Sequence, residues 1–120
     1  YYAHGELKSE GNSVAEGIGQ GRITANLEDA PVDTQYRISD EEGLEWVRRL
    51  LAEEGLALGL SSGINVAGAV RLGQELTAKL GRPARVATIL CDTGFRYLST
   101  LYNPDWLREK GLPVFPWLDR

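Results

Sequence analysis

The sequence predicts an α/β fold built on a parallel βαβ unit, with a glycine-rich segment of loop and short helix ahead of it. Two runs of strand length, Leu56–Leu60 and Val86–Cys91, flank a stretch with helical periodicity. A strand, a helix and a second strand in succession predict a βαβ unit, in which the two strands run parallel and the connection between them is right-handed. The second run contains no charged residue, which is typical of a strand that is covered on both faces.

The N-terminal segment, Tyr1–Ala30, is polar and contains five glycines between Gly5 and Gly21. It follows neither the period of a strand nor that of a helix, so it is predicted to be loop with short helical pieces. A structureless stretch of this length is uncommon in a compact domain. We therefore expect it to lie on a partner surface or to line a site.

The first long helix is predicted to follow a short strand candidate at Gln35–Ile38. Ser39 and Glu42 have the spacing of a capping box, in which each side chain bonds to the backbone amide of the other residue. Gly55 suits the left-handed residue that ends a helix. The apolar side chains on one face of this helix are Leu44, Val47, Leu50 and Leu51.

The second long helix is predicted to begin at Ser61–Gly63 and to end at about Leu80, ahead of Gly81 and Pro83. Its small residues would let it pack closely on a sheet. The residues expected to face inward are Val66, Ala69, Val70, Gly73, Thr77 and Leu80.

The composition restricts the class of protein. The chain has 120 residues, 42% of them hydrophobic, and a net charge of −4, which predicts one globular domain with a core. Its single cysteine favours a reducing cytoplasm, and no membrane span or signal peptide is visible. The mild acidity offers no positive surface for nucleic acid. The sequence contains no methionine and starts at Tyr1, so it is expected to be a piece of a longer protein or a processed product.

Two polar segments directly follow the two predicted strands, and both fall at the same edge of the predicted sheet. Ligands of open α/β sheets bind beyond the carboxyl ends of the strands. The first segment, Ser61–Gly63, also opens a helix and so offers free N–H groups and a positive dipole end. The second segment is Asp92–Gly94. An ordinary helix cap at Ser61 or Ser62 and a plain polar turn at Asp92–Gly94 explain the same residues without a ligand.

The remaining candidates for chemistry carry weaker signals. Gly17–Gly21 lacks the preceding strand and the later acidic residue of a dinucleotide-binding loop. His4 has no nucleophile or metal ligand nearby in the sequence, and Cys91 is expected to be a small buried hydrophobe. No spacing of His, Cys, Asp or Glu predicts a metal site. The tryptophans, expected in the core or an interface, are Trp46, Trp106 and Trp117.

Four short segments, taken in their order along the chain, resemble those of a known enzyme family. They are Glu16–Gly19, Glu53–Gly55, Leu60–Gly63 and Asp92–Thr100. In this order they resemble the cysteine synthases (O-acetylserine sulfhydrylases), which are fold-type II enzymes dependent on pyridoxal phosphate. The likeness extends from about residue 10 to residue 110 and implies that the βαβ unit belongs to the large domain of that fold.

The resemblance implies a reaction and a contact with the cofactor. The reaction is the β-replacement of the acetate of O-acetyl-L-serine by sulfide, which gives L-cysteine, with pyridoxal 5'-phosphate as the cofactor. Thr93 matches the position whose hydroxyl bonds to the pyridine nitrogen. A neutral hydroxyl does not hold that nitrogen protonated, so the ring is a weaker electron sink and elimination is favoured over transamination.

The same resemblance implies further site residues. Those that match the backbone on the substrate side of the pocket are Gly17, Ile18 and Gly19. Those that match the cofactor end of the sheet, in a supporting role, are Ser61, Ser62 and Asp92. Phe95 stands where the family more often has Glu, which leaves the subfamily open.

The resemblance also implies that residues 1–120 are the C-terminal part of the catalytic domain. The family's Schiff-base lysine and glycine-rich phosphate cup then lie upstream of this chain, and none of Lys8, Lys79 and Lys110 is placed to replace that lysine. We therefore expect the isolated chain to be inactive and the complete enzyme to be a cytoplasmic homodimer. The alternatives are another fold-type II enzyme (cystathionine β-synthase-like, serine/threonine dehydratase or cysteine desulfhydrase) and a non-catalytic partner-binding module.

Overall fold

The computed structural model describes residues 13–15 and 22–118, and the helices in those ranges surround a small core. They are α1 (Ala25–Glu28), α2 (Asp40–Glu54), α3 (Leu60–Leu80), a 3₁₀ turn (Gly94–Tyr97) and α4 (Pro104–Glu109). None of these helices is both long enough and apolar enough to cross a membrane. The short α1 agrees with the prediction of loop and short helix for the described part of the N-terminal segment.

α2 begins and ends where the sequence predicts. Oγ of Ser39 accepts a hydrogen bond from the Glu42 amide at 3.2 Å, and Gly55 ends the helix in the left-handed conformation at a φ of 70°. The Glu42 carboxylate is used differently from the prediction, because it pairs with Arg71 of α3. Arg71 also donates to the carbonyl of Arg37 at 2.9 Å, so it ties the chain ahead of α2 to α3.

α2 and α3 cross with their backbones almost in contact at Gly43 and Gly63. A Cβ built on Gly63 would lie 2.1 Å from the carbonyl oxygen of Gly43. Only a residue without a side chain fits at this point of the crossing. Leu44 and Val47 of α2 and Leu60 of α3 are buried in the same cluster.

The buried face of α3 differs from the predicted one. Its buried residues are Leu60, Ser62, Gly63 and Ala67. The predicted inward residues are half-buried at Val66, Ala69, Val70 and Gly73 and exposed at Thr77 and Leu80. The buried face is the one that packs on α2, whereas the predicted face was expected to pack on a sheet, which the described residues do not form. Small and apolar residues occur around much of this helix, so periodicity alone did not select the covered side.

The predicted strands Gln35–Ile38, Leu56–Leu60 and Val86–Cys91 form no ladder within the described part of the chain. One isolated antiparallel bridge occurs there, between Leu58 and Thr93. Leu60, the last residue of the predicted strand Leu56–Leu60, already belongs to α3. A strand is stabilised by hydrogen bonds to a neighbouring strand, and no described segment supplies a neighbour for these runs. The described residues alone therefore do not form the predicted parallel unit.

Val86–Cys91 lies on the surface along one side of α3. Nδ2 of Asn65 donates to the carbonyl of Ile89 at 3.0 Å. Val86 is 37% exposed and Ile89 is 72% exposed, and Cys91 is exposed as well. The prediction that Cys91 is buried is therefore wrong, because the described residues cover only the side of the segment that faces α3.

The core combines both long helices with the C-terminal part of the chain. Its buried members are Leu44, Val47, Leu60, Leu101, Leu107, Leu112 and Phe115. The ring of Phe115, 2% exposed, meets that of Tyr102 edge-on, with centroids 5.7 Å apart. Trp106 and Trp117 pack against this cluster, which confirms their predicted core role. No element is predicted from the sequence for residues 111–120, although their closely spaced apolar side chains are a signal of burial.

Candidate functional site

The two polar segments that follow the predicted strands lie in contact. The Cys91 amide donates to Oγ of Ser62 at 2.9 Å, and Ser62 is fully buried. Gly59, and not a serine, is the N-cap residue of α3. The alternative of a plain helix cap at Ser61 or Ser62 is therefore wrong. The Ser62 hydroxyl instead joins α3 to the segment that leads into Asp92.

The backbone around Thr93 is fixed by the segment ahead of α3. Thr93 forms the bridge with Leu58, and the Gly94 amide donates to the carbonyl of Ala57 at 2.8 Å. The Tyr102 hydroxyl accepts from the Leu58 amide at 3.1 Å and donates to the Leu58 carbonyl at 2.8 Å. A Cβ on Gly94 would lie 2.9 Å from both the Ala57 carbonyl carbon and the Tyr102 hydroxyl oxygen. This edge is therefore closely packed.

The side chain of Thr93 faces outward from this packed edge. Thr93 is exposed, and its Oγ1 accepts a hydrogen bond from the Phe95 amide at 3.4 Å. A hydroxyl that accepts one hydrogen bond keeps its own proton for donation. Phe95, its neighbour on the 3₁₀ turn, is 75% exposed. Thr93 therefore presents a hydroxyl donor to the space outside the described residues.

The side chain of Asp92 lies inside the same edge. Its Oδ2 accepts from the Tyr97 hydroxyl at 2.5 Å and from Nη1 of Arg96 at 3.4 Å. Its Oδ1 is buried and has no hydrogen-bond partner among the described residues. A Cβ on Gly59 would lie 2.4 Å from that oxygen. The carboxylate therefore occupies the space directly against the N-cap of α3.

Burial raises the pKa of the Tyr102 phenol above its ordinary value, because the ionised form loses hydration. The hydrogen bond with the Leu58 backbone acts in the opposite direction and is the smaller effect. The Tyr102 hydroxyl is therefore neutral at physiological pH and keeps the proton that it donates to Leu58.

Several residues of the sequence analysis lie outside the described part of the chain. They are His4, Lys8, Gly17, Ile18 and Gly19. The described stretch closest to the three substrate-side residues is 13–15.

Residues 13–15 are attached to the first turn of α2. Oγ of Ser13 donates to Oδ1 of Asp40 at 2.6 Å, and the Val14 amide donates to Oδ2 of the same carboxylate at 2.9 Å. Val14 and Ser61 line a small cavity of about 40 Å³ beside the core. This observation places the half-buried Ser61 at that cavity and away from the Cys91 contact.

Neither described lysine suits a Schiff base. Lys79 and Lys110 are exposed, and Nζ of Lys110 lies 5.9 Å from the centre of the Trp106 ring. A lysine that forms a Schiff base needs a neutral amine, which a desolvated or cation-rich pocket provides. Among residues 13–15 and 22–118, no three potential metal ligands come together.

Pyridoxal phosphate, the cofactor that the resemblance implies, needs a partner for its pyridine nitrogen and binding groups for its phosphate. Thr93 offers a hydroxyl donor of the kind that suits a pyridine nitrogen. The N-terminus of α3 does not suit the phosphate, because the Asp92 carboxylate already lies against its N-cap residue, Gly59. A second anion there would be repelled. The phosphate therefore needs binding groups other than this helix end.

Comparisons with known proteins indicate pyridoxal phosphate as the cofactor. The family model described as "Pyridoxal-phosphate dependent enzyme" matches residues 2–92. The chain is 45% identical over 108 residues to cysteine synthase 1 of Emericella nidulans, covering 88% of this chain and 28% of that protein. It is 46% identical to cysteine synthase 1 of Neurospora crassa over 108 residues, which again cover 88% of this chain and 28% of that protein. It is 40% identical over 110 residues to cysteine synthase A of Escherichia coli K12, covering 90% of this chain and 32% of that protein.

The chain thus spans less than a third of the length of these relatives. The resemblance to cysteine synthases, first seen in the four ordered segments, is confirmed over most of the chain. By the family match, which covers most of its residues, the chain belongs to the pyridoxal-phosphate-dependent enzymes with an α/β fold of type II.

Proposed function

We propose that this chain is part of a cysteine synthase, which uses pyridoxal 5'-phosphate to replace the acetate of O-acetyl-L-serine by sulfide. The products are L-cysteine and acetate. The observation that carries the proposal is the outward hydroxyl of Thr93, on a backbone that Leu58 and Gly94 hold in place. The similarity to the fungal and bacterial cysteine synthases supports it.

In this proposal the Thr93 hydroxyl donates a hydrogen bond to the pyridine nitrogen of the cofactor. When bound, pyridoxal phosphate supplies the electron sink for the reaction at the amino acid. Thr93 is neutral and does not stabilise a positive charge on the nitrogen, as a carboxylate would. The carboxylate of the preceding residue, Asp92, is bonded to Tyr97 on the inner side. The chain therefore favours the weaker electron sink that suits loss of a β-substituent.

Ser62 supports Thr93 indirectly in this proposal. Its buried hydroxyl fixes the Cys91 amide, two residues ahead of Thr93, and so anchors the segment to α3. On the substrate side, a backbone without side chains would let a small amino acid approach closely. The residues that we propose for that backbone are Gly17, Ile18 and Gly19.

We further propose that Val86–Cys91 becomes a strand of a parallel sheet when the rest of the enzyme is present. A groove of about 330 Å³ separates it from Tyr36 and Ile38, over the small residues Gly68 and Ala69 of α3. Apolar side chains of the segment are exposed along this side. Strands from the remainder of the enzyme would fill the groove and cover these side chains, which burial favours.

Residues 1–120 are, in this proposal, the C-terminal part of the catalytic domain. The Schiff-base lysine and the phosphate-binding loop come from residues outside this chain, and the relatives' greater length provides for them. The complete enzyme is a cytoplasmic homodimer. The 120-residue chain alone is expected to make no cysteine, because in this proposal the Schiff-base lysine lies outside it.

The proposal is tested on the complete enzyme reconstituted with pyridoxal phosphate. Four reactions are compared by kcat/KM: O-acetyl-L-serine with sulfide, L-serine with L-homocysteine, L-serine or L-threonine alone, and L-cysteine alone. The highest value for the first reaction, with L-cysteine as product, supports the proposal. A higher value for cystathionine formation, dehydration or sulfide release would assign one of the other fold-type II activities instead. A protein that binds no cofactor and turns over nothing would be a partner-binding module.

A further inference from the structure

We propose that Asp92 is a positioning residue, whose hydrogen bond to Tyr97 fixes the backbone so that the Thr93 hydroxyl faces the cofactor. This inference rests on the proposed function. Thr93 has an extended backbone, with φ −85° and ψ 147°, and neighbouring side chains of an extended backbone point to opposite sides. The Asp92 side chain is 18% exposed, whereas Thr93 is exposed. An anchored Asp92 therefore dictates the outward direction of Thr93.

The anchor of Asp92 leads into the core. Its Oδ2 accepts from the Tyr97 hydroxyl at 2.5 Å, and the Tyr97 ring packs against the buried core cluster. A hydrogen bond to an ionised carboxylate is stronger than one between neutral groups. The rigid ring carries this bond, so the position of the carboxylate follows the packing of the core.

The carboxylate is closely packed against Gly59 and Tyr97. A Cβ on Gly59 would lie 2.4 Å from Oδ1 of Asp92 and 2.5 Å from Cε2 of Tyr97. A side chain at Gly59 would therefore displace the carboxylate or the Tyr97 ring. Gly59 is also the N-cap of the 21-residue α3, whose positive dipole end favours a negative charge beside it.

Arg96 is the other partner of the carboxylate and contributes little to its orientation. Its Nη1 lies 3.4 Å from Oδ2, and its side chain is 63% exposed. Exposed ion pairs of this kind have small coupling energies. Asp92 is therefore oriented by Tyr97, and an Arg96→Ala variant serves as a matched control that removes the second partner of the same carboxylate.

The test uses the complete enzyme reconstituted with pyridoxal phosphate labelled with ¹⁵N in the ring. The ¹⁵N resonance of the pyridine nitrogen reports the hydrogen bond directly, and the dissociation constant of the cofactor is measured alongside it. The variants are Thr93→Ala, Asp92→Ala, Tyr97→Phe and Arg96→Ala. Asp92→Asn is added because it keeps an oxygen acceptor of the same size for the Tyr97 hydroxyl.

We expect Thr93→Ala to shift the resonance, and Asp92→Ala and Tyr97→Phe to shift it in the same direction with several-fold weaker cofactor binding. Asp92→Asn is expected to remain closer to the wild type than Asp92→Ala, and Arg96→Ala to leave the resonance unchanged. No shift in Thr93→Ala would remove the pyridine contact of the proposed function itself. A shift in Thr93→Ala together with wild-type resonance and affinity in Asp92→Ala would overturn the positioning role alone. If Asp92→Ala does not fold, a wild-type resonance and a wild-type cofactor affinity in Tyr97→Phe overturn it equally.

Discussion

The Tyr102 hydroxyl binds both polar groups of the Leu58 backbone, accepting from its amide at 3.1 Å and donating to its carbonyl at 2.8 Å. One side chain thus replaces the strand neighbour that this part of the backbone would otherwise need. Thr93 pairs with Leu58 in the only β-bridge among the described residues. Tyr102 therefore stabilises the backbone at Leu58, which in turn pairs with Thr93, the residue of the proposed cofactor contact.

Replacement of Tyr102 by Phe should destabilise the 120-residue chain measurably. The amide and carbonyl of Leu58 would both lose their partner in a partly buried place, at a cost of about 1–3 kcal/mol. The measurement is urea unfolding followed by circular dichroism. Tyr36→Phe is the matched control, because it removes the exposed hydrogen bond to Glu75 and is expected to cost less than about 0.5 kcal/mol. Equal losses in the two variants would contradict this account of Tyr102.

The contribution of Tyr102 should also depend on pH at the alkaline end. Its pKa is raised in the folded chain, so the folded state keeps the proton at a pH where the unfolded state, with a pKa of about 10, releases it. The stabilisation is therefore complete below about pH 10 and is lost as the pH rises through the raised value. The measurement is the difference in unfolding free energy between wild type and Tyr102→Phe at neutral and alkaline pH. A difference that does not decrease would show that folding leaves this phenol's titration unchanged.

The crossing of α2 and α3 should not tolerate a methyl group at Gly63. In Gly63→Ala the new Cβ would lie 2.1 Å from the Gly43 carbonyl oxygen, which belongs to the backbone of α2 and cannot rotate away. We expect a loss of about 1–3 kcal/mol or more in the unfolding free energy of the 120-residue chain. In Gly68→Ala on the same helix, the Cβ meets nothing within 4 Å. That variant should gain about 0.5–1 kcal/mol, and a loss of the same size as in Gly63→Ala would refute the close crossing.

The Ser62 hydroxyl should be needed to hold the segment that precedes Thr93. Ser62→Ala leaves the Cys91 amide without its acceptor and is expected to cost about 1–3 kcal/mol of stability. In the complete enzyme the same variant should weaken cofactor binding, measured by titration of the apoenzyme with pyridoxal phosphate. Thr77→Ala is the control, because it removes another α3 hydroxyl that accepts from a backbone amide, that of Ala84 at 3.1 Å, and should bind the cofactor as the wild type does. Identical affinities in both variants would argue against the anchoring role of Ser62.

Local signals in the sequence were sufficient for the ends of the two long helices. Ser39 caps α2 and Gly55 ends it, and Gly81 ends α3 at a φ of 67°, all within one or two residues of the prediction. These are interactions among residues close in the chain, so their sequence pattern contains all the partners. The apolar character of Val86–Cys91 predicts a strand, which the described residues do not form. Its ladder could not follow, because the neighbouring strand is absent from the described residues.

The family was also evident from the sequence, since four short segments in order identified it. The contacts that support the candidate site were not. The bonds of Ser62 to the Cys91 amide and of Tyr102 to the Leu58 backbone join residues that are 29 and 44 positions apart in the chain. Which face of α3 packs on α2 was likewise settled by the fit of one glycine against another. Such contacts depend on volumes and distances in three dimensions, so only the tertiary structure decides them.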